Sequence, residues 1–126
     1  MIICDDHVSF AQGIAALFQH LHSDIEVLGI ATDANEAINL VESARPEVVL
    51  MDIHFPRSNG LEATQTICHR WPEVKVVIFT GSEDDADVRS ALSKGANGFL
   101  LKSMNSYQNL AASLRAVKAG RSWTLP

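Results

Sequence analysis

The chain has 126 residues, 47% of them hydrophobic and 20% charged, and its formal net charge is -5. These values are typical of one globular domain with a single core, and they exclude disordered and fibrous classes. Its apolar runs fall far short of the roughly twenty residues of a membrane span, and no stretch of Lys or Arg offers a footprint for nucleic acid, so we expect a cytoplasmic domain that contacts neither a membrane nor DNA directly.

Short apolar runs and helix-like segments alternate along the chain. The runs predict five strands, at about residues 1–4, 25–31, 48–52, 74–80 and 98–101. Apolar residues at three- and four-residue spacing predict five helices, at about residues 8–22, 84–94 and 106–119, with two more between Asp33 and Pro46 and between Gly60 and Pro72. This alternation favours an α/β fold in which helices cover both faces of a parallel sheet.

Local signals predict where these helices end and which faces they bury. Asp33 and Glu36 form a capping-box pattern at the start of the second helix, and Gly95 and Gly120 follow the ends of the fourth and fifth. We interpret residues 1–120 as one domain and residues 121–126, which have no periodicity, as the start of a linker. The buried stripe of the first helix is predicted to be Ile14, Leu17, Phe18 and Leu21, and that of the fourth helix to be Val88, Ala91 and Leu92.

The first polar residues after the apolar runs form the most informative pattern. Asp5 and Asp6 follow the first strand, and Asp52, Thr80 and Lys102 close the third, fourth and fifth. In a parallel sheet these ends share one edge, where open α/β folds bind ligands. One such residue is weak evidence, since every strand becomes polar as it leaves the core. Three acids, a hydroxyl and a lysine at one edge predict a functional site.

The chemistry of this set points to a cation and a phosphoryl group. Two unit charges about 4 Å apart repel by roughly 4 kcal/mol at an effective dielectric of about 20, and a divalent cation removes that cost. All-oxygen ligands suit Mg²⁺. The ammonium of Lys102 would then suit a phosphoryl group, for which Asp52 could be the nucleophile and Thr80 a hydrogen-bond donor.

The spacing of these residues resembles that of the receiver domains of two-component response regulators, over the whole chain. The resemblance implies a flavodoxin-like fold with strand order 2-1-3-4-5. It rests on Asp5-Asp6, on Asp52 with Pro56 four and Gly60 eight residues later, on Thr80-Gly81, on Lys94-Gly95-Ala96, and on Phe99 three residues before Lys102.

The resemblance also implies roles for the site residues. Asp52 would be phosphorylated by a partner histidine kinase. Asp6, Asp52 and the main-chain carbonyl of His54 would bind Mg²⁺ directly, and Asp5 would hold it through a water. Lys102 would pair with the phosphoryl group.

A switch and an output are implied as well. Thr80 would move toward the phosphoryl group and let Phe99 turn inward, which would reshape the face formed by the fourth helix, fifth strand and fifth helix. A homodimer is expected on phosphorylation. Asp5-Asp6-His7 and Ala119-Gly120-Arg121 are similar to the subfamily whose receivers precede a LuxR-type helix-turn-helix. This similarity implies control of transcription through a DNA-binding output domain absent from this chain.

The residues leave other functions open. A stand-alone, phosphorylation-dependent interaction module would use the same site without an output domain. A Mg²⁺-dependent phosphohydrolase would use Asp52 as nucleophile, but it needs a further general acid or base and a pocket for the leaving group, which the short loops do not offer. A nucleotide-binding module would need a Gly-rich loop after the first strand, which is missing. We therefore expect a switch and not an enzyme.

Overall fold

The computed structural model describes residues 1–21, 24–81, 84–104, 106–120 and 123–124. In this part of the chain one parallel sheet has the strand order β2-β1-β3-β4-β5-β6. The first five strands confirm the predicted α/β fold and its order 2-1-3-4-5. The strands are β1 (Ile2–Cys4), β2 (Gly29–Ala31), β3 (Val48–Met51), β4 (Lys75–Thr80), β5 (Gly98–Leu101) and β6 (Trp123–Thr124).

The predicted helices are also found, and their ends follow the capping signals. The side chain of Asp33 accepts a hydrogen bond from the amide of Glu36 at 2.8 Å, and the carboxylate of Glu36 accepts one from the amide of Thr32 at 3.1 Å. Gly95 and Gly120 have positive φ values of 103° and 92°, which suit the turns after α4 and α5. The helices are α1 (Val8–Leu21), α2 (Ala34–Ala44), α3 (Gly60–Arg70), α4 (Asp85–Ser93) and α5 (Tyr107–Lys118).

Alternate residues of the strands point to opposite faces of the sheet, and each face has its own core. Ile3 and Leu50 pack with residues of α1 and α5 such as Phe18 and Leu114. Residues of the other face, such as Met51, pack with α2, α3 and α4. Burial on both faces explains why the strands read as continuous apolar runs. Among the described residues, none of the helices combines the length and apolar character that crossing a bilayer requires.

The prediction that Leu17 and Leu92 belong to the core is wrong. Leu17 is 38% exposed and Leu92 is 45% exposed. Leu17 precedes the fully buried Phe18, and Leu92 follows the fully buried Ala91. The side chains of adjacent residues in a helix point about 100° apart. The buried stripes of α1 and α4 are therefore narrower than the sequence spacing indicates. The side chain of Leu21 and residue His22 lie outside the described structure.

The tail adds an unpredicted strand. Within the segment interpreted as a linker, β6 pairs in parallel with the outer side of β5, with Trp123 opposite Gly98 and Thr124 opposite Phe99. Since α5 connects the two strands, β5, α5 and β6 form a further βαβ unit. Residues 121, 122, 125 and 126 of this segment lie outside the described residues.

Candidate functional site

Asp5 and Asp52 lie side by side because β1 and β3 are neighbouring parallel strands. Cys4 pairs with Met51, so a carboxylate follows each strand at the same level. The amide of Asp52 donates to the carbonyl of Cys4, and the amide of Asp5 donates to that of Ala31, both at 2.9 Å. Asp5 is 3% exposed and Asp52 is 6% exposed. The sheet thus holds two acids together and almost out of water.

Lys102 supplies the opposing charge from the end of β5. Its Nζ donates to Oδ2 of Asp5 at 2.7 Å and to Oδ2 of Asp52 at 3.1 Å. Burial by itself would lower the pKa of Lys102, but hydrogen bonds with both acids and their negative charge outweigh burial and raise that pKa above its ordinary value. The ammonium therefore stays charged and bridges the two carboxylates.

Asp6 contributes the third carboxylate. Its Oδ1 is buried and accepts no hydrogen bond from any described residue, although Nδ1 of His7 lies 3.4 Å away. That Nδ1 is closer to Oδ1 of Asp5, at 3.2 Å. Ligand atoms of Asp5, Asp6, His7 and Asp52 all lie within 4.8 Å of one another. Because a buried polar atom normally has a partner, the bare oxygen of Asp6 and its acidic neighbours fit a divalent cation.

The two histidines next to the acids differ in position. The ring of His7 belongs to the cluster, a membership that the sequence analysis missed; its place directly after two acids at a strand end is the signal that could have found it. The ring of His54 is 66% exposed, and its Nε2 lies 3.7 Å from Oδ2 of Asp87 in α4. Since His54 is not part of the clustered side chains, a metal contact from this residue would come from its main chain.

The loop between β3 and α3 packs tightly against Asp52. Oδ1 of Asp52 accepts from the amide of Ile53 at 2.8 Å, and the amide of Gly60 donates to the carbonyl of Ile53 at 2.7 Å. A Cβ atom at Gly60 would lie 1.8 Å from the carbonyl oxygen of Asp52, so only glycine fits. The side chain of Asn59 accepts from the amide of Leu61 and caps α3. This loop fixes the backbone of Asp52.

The two residues expected to form a switch, Thr80 and Phe99, are both buried. Thr80 is the last residue of β4, is 1% exposed and pairs with Leu101, so it ends beside Lys102 at the same edge. Phe99 is 2% exposed and packs in the core on the side of α3 and α4. The aromatic ring is therefore already inward in this structure.

A groove of about 340 Å³ lies between the loops that follow β2 and β3. Asp6 forms one end of it. The groove therefore reaches Asp6 from solvent, while Asp5 and Asp52 are not among the residues that line it. Its other walls are Thr32, Asp33, Asn35, Pro56, Arg57 and Ser58.

A flavodoxin-like sheet with clustered acids and a lysine at its carboxyl edge is typical of the receiver domains of signalling proteins. The family described as "Response regulator receiver domain" matches residues 1–115, and the chain belongs to this family.

Several relatives are transcription regulators. The transcriptional regulatory protein DegU of Brevibacillus brevis is 35% identical over 126 residues, which are 100% of this chain and 52% of DegU. The nitrate/nitrite response regulator protein NarL of Escherichia coli K12 is 33% identical over 95% of this chain and 55% of NarL. The chain therefore spans about half the length of the curated relatives it matches.

Solved structures agree with this assignment. A LuxR-family two-component response regulator from Aurantimonas sp. SI85-9A1 superposes with a TM-score of 0.91 at 30% identity, covering 99% of this chain and 88% of that one. A LuxR-family DNA-binding response regulator from Staphylococcus aureus gives a TM-score of 0.86 at 28% identity, covering 93% of this chain and 96% of that one. This chain is thus similar to receivers of LuxR-family regulators.

Proposed function

We propose that Asp52 accepts a phosphoryl group from the phosphohistidine of a histidine kinase in a Mg²⁺-dependent reaction. The observation that carries this proposal is the Lys102 ammonium, which bridges Asp5 and Asp52 beside a buried oxygen of Asp6 that has no hydrogen-bond partner among the described residues. The edge thereby offers a nucleophile, a counter-charge for the phosphoryl group and an unsatisfied metal ligand.

In the transfer step, a carboxylate oxygen of Asp52 forms a bond to phosphorus while the P–N bond of the donor breaks and its electron pair leaves with the imidazole. Lys102, whose Nζ is 3.1 Å from Oδ2 of Asp52, then pairs with a phosphoryl oxygen. The hydroxyl of Thr80 donates a hydrogen bond to another phosphoryl oxygen. Bound Mg²⁺, held by Asp6, Asp52 and the carbonyl of His54, with Asp5 holding a water on it, would neutralise charge on the phosphoryl oxygens.

The signal then passes to the face of α4, β5 and α5. Thr80 moves toward the new phosphoryl group, and the inward position of Phe99 is stabilised relative to an outward one. The changed face favours a homodimer. It also controls a DNA-binding output domain outside this chain. Both steps take place in the cytoplasm. The transcription regulators among the relatives support this output.

The decisive experiment is phosphorylation in vitro. We expect the protein, incubated with Mg²⁺ and phosphoramidate, to gain one acid-stable, base-labile phosphoryl adduct in intact-mass spectrometry. Asp52→Ala should gain none, whereas Asp24→Ala, which removes an exposed acid far from the cluster, should react like the native protein. An unmodified native protein, or an adduct that persists in Asp52→Ala, would overturn the proposal.

A metal titration tests the role of Asp6 separately. Mg²⁺ should raise the melting temperature of the native protein because it binds only the folded acid cluster, and Asp6→Asn should remove most of that increase. Size-exclusion chromatography of the phosphorylated protein tests the homodimer.

Rapid release of phosphate from many organic phosphate esters would instead favour the hydrolase alternative.

A further inference from the structure

The ring of Phe10, near the start of α1, lies over the ammonium of Lys102. Nζ is 4.6 Å from the ring centroid, within the distance at which the negative face of an aromatic ring attracts a cation. Lys102 therefore has carboxylate partners on Asp5 and Asp52 and an aromatic partner on a third side.

The surroundings hold this ring in place. Phe10 packs on the ring of Phe79, with centroids 6.0 Å apart and planes inclined by 33°. The gap between these two rings and the acids Asp5 and Asp52 has no space for a water molecule. Phe10 itself is 37% exposed, so its outer side faces solvent while its inner side closes over a dry pocket. Lys102 does not line this gap and its side chain is 20% exposed, so the cation–π contact lies between the dry gap and solvent.

We propose that Phe10 is a positioning residue for Lys102: its ring covers one side of the ammonium and holds it at the Asp5–Asp52 pair. The proposal rests on the phosphoacceptor function proposed above. A lysine ammonium sits on a flexible four-carbon stem, so two carboxylates alone leave it free to swing toward solvent. With the ring present, Lys102 moves only from the carboxylate of Asp52 to the phosphoryl group that forms there.

Graded fluorination of Phe10 tests this role with little change of shape. Replacing Phe10 by 4-fluoro-, 3,5-difluoro- and pentafluorophenylalanine progressively weakens, and with five fluorines reverses, the negative electrostatic potential of the ring face. Two quantities are measured: the solvent-exchange rate of the Lys102 ammonium protons by NMR at one pH without Mg²⁺, and the phosphorylation rate with phosphoramidate and Mg²⁺. The same substitutions at Phe18, a fully buried ring of α1 that packs against Tyr107, are the matched control.

We expect exchange to accelerate and phosphorylation to slow stepwise along the Phe10 series, by roughly tenfold for the pentafluoro ring, with no such trend at Phe18. Equal exchange rates along the Phe10 series, or an equal trend at Phe18, would overturn the positioning role. If the native protein is never phosphorylated, the phosphoacceptor proposal fails, while the exchange rates still decide whether the ring holds Lys102.

Discussion

The two edges of the sheet carry similar ion pairs in different surroundings. At the carboxyl edge, Nζ of Lys102 lies 2.7 Å from Asp5, and the two side chains are 20% and 4% exposed. At the amino edge, Nε of Arg115 lies 2.6 Å from Asp24, and the two side chains are 41% and 51% exposed. Asp24 also lines an open cavity of about 310 Å³ there. The distances are almost equal, but the burial is not.

This difference predicts that burial, and not distance, decides how much each ion pair contributes to stability. Hydrogen bonding to Asp24 raises the pKa of Arg115, yet water screens both partners. At the carboxyl edge, Asp5 and Asp52 are almost out of water, so the loss of their cation would leave buried charge uncompensated. The stability of the carboxyl edge therefore depends on the hydrogen bonds of Lys102 with both acids.

We expect the largest loss of stability from a substitution at Gly60, where the carboxyl edge has least space. Gly60→Ala places a Cβ 1.8 Å from a backbone oxygen of Asp52, and no side chain can move to relieve that clash. We expect the free energy of unfolding to fall by about 3 to 4 kcal/mol in urea denaturation. At the amino end of β2, Gly29→Ala is the matched change, since its Cβ meets Leu40 at an ordinary 3.5 Å. Equal losses from both would contradict the difference between the edges.

Removing the cation of the buried pair should have the next largest effect. Lys102→Met keeps much of the side-chain volume but leaves Asp5 and Asp52 without their ammonium, so we expect metal-free protein at neutral pH to lose about 2 to 3 kcal/mol of unfolding free energy. Adding Asp5→Asn to Lys102→Met should recover part of the loss because it removes one of the repelling charges. A double variant no more stable than Lys102→Met would show that repulsion is not the cause.

A change of pH should alter the stabilisation by Lys102 by a smaller amount. Because the folded pKa of Lys102 is raised above 10.5, its ordinary value, the stabilisation by this ammonium is fully present below that pH and is lost as the pH rises through the folded pKa. The difference in unfolding free energy between native protein and Lys102→Met should stay constant up to about pH 10 and then shrink, by at most about 1.4 kcal/mol per pH unit. A difference that grows with pH would reverse the assigned direction.

The smallest effect belongs to the amino edge. Arg115→Gln removes the exposed partner of Asp24, and we expect unfolding curves in urea to coincide with those of the native protein within experimental scatter. Phosphorylation by phosphoramidate should also be unchanged. A loss comparable to that of Lys102→Met would show that burial does not separate the two edges.

Much of this site could be predicted from the sequence. Asp52 and Lys102 are each the first polar residue at the end of an apolar strand, and parallel pairing necessarily brings such ends to one edge. The roles of these residues in phosphoryl transfer remain proposals. The spacing of Gly60 after Asp52 was also visible, but its reason was not: the sequence indicates a turn, whereas the structure shows that this glycine makes room for the carbonyl of Asp52.

Other features depend on contacts that no local pattern encodes. The ring of Phe10 meets Lys102, and the two residues are far apart in the sequence. A two-residue strand such as β6 is too short to have a periodicity. Leu17 and Leu92 fit the helical spacing of a buried stripe, and only the position of each helix on the sheet shows that they face solvent.

The short strand β6 covers part of the sheet margin at β5. Unpaired backbone groups along a sheet margin can template the addition of a strand from another molecule, and the hazard grows with the length and apolarity of the exposed strand. In the described structure the outermost strands β2 and β6 have only three and two residues. Without β6, the outer side of β5, a four-residue Gly-Phe-Leu-Leu strand, would lose the pairing that Gly98 and Phe99 now make. By this pairing β6 covers part of the β5 margin that would otherwise be open to a strand of another molecule.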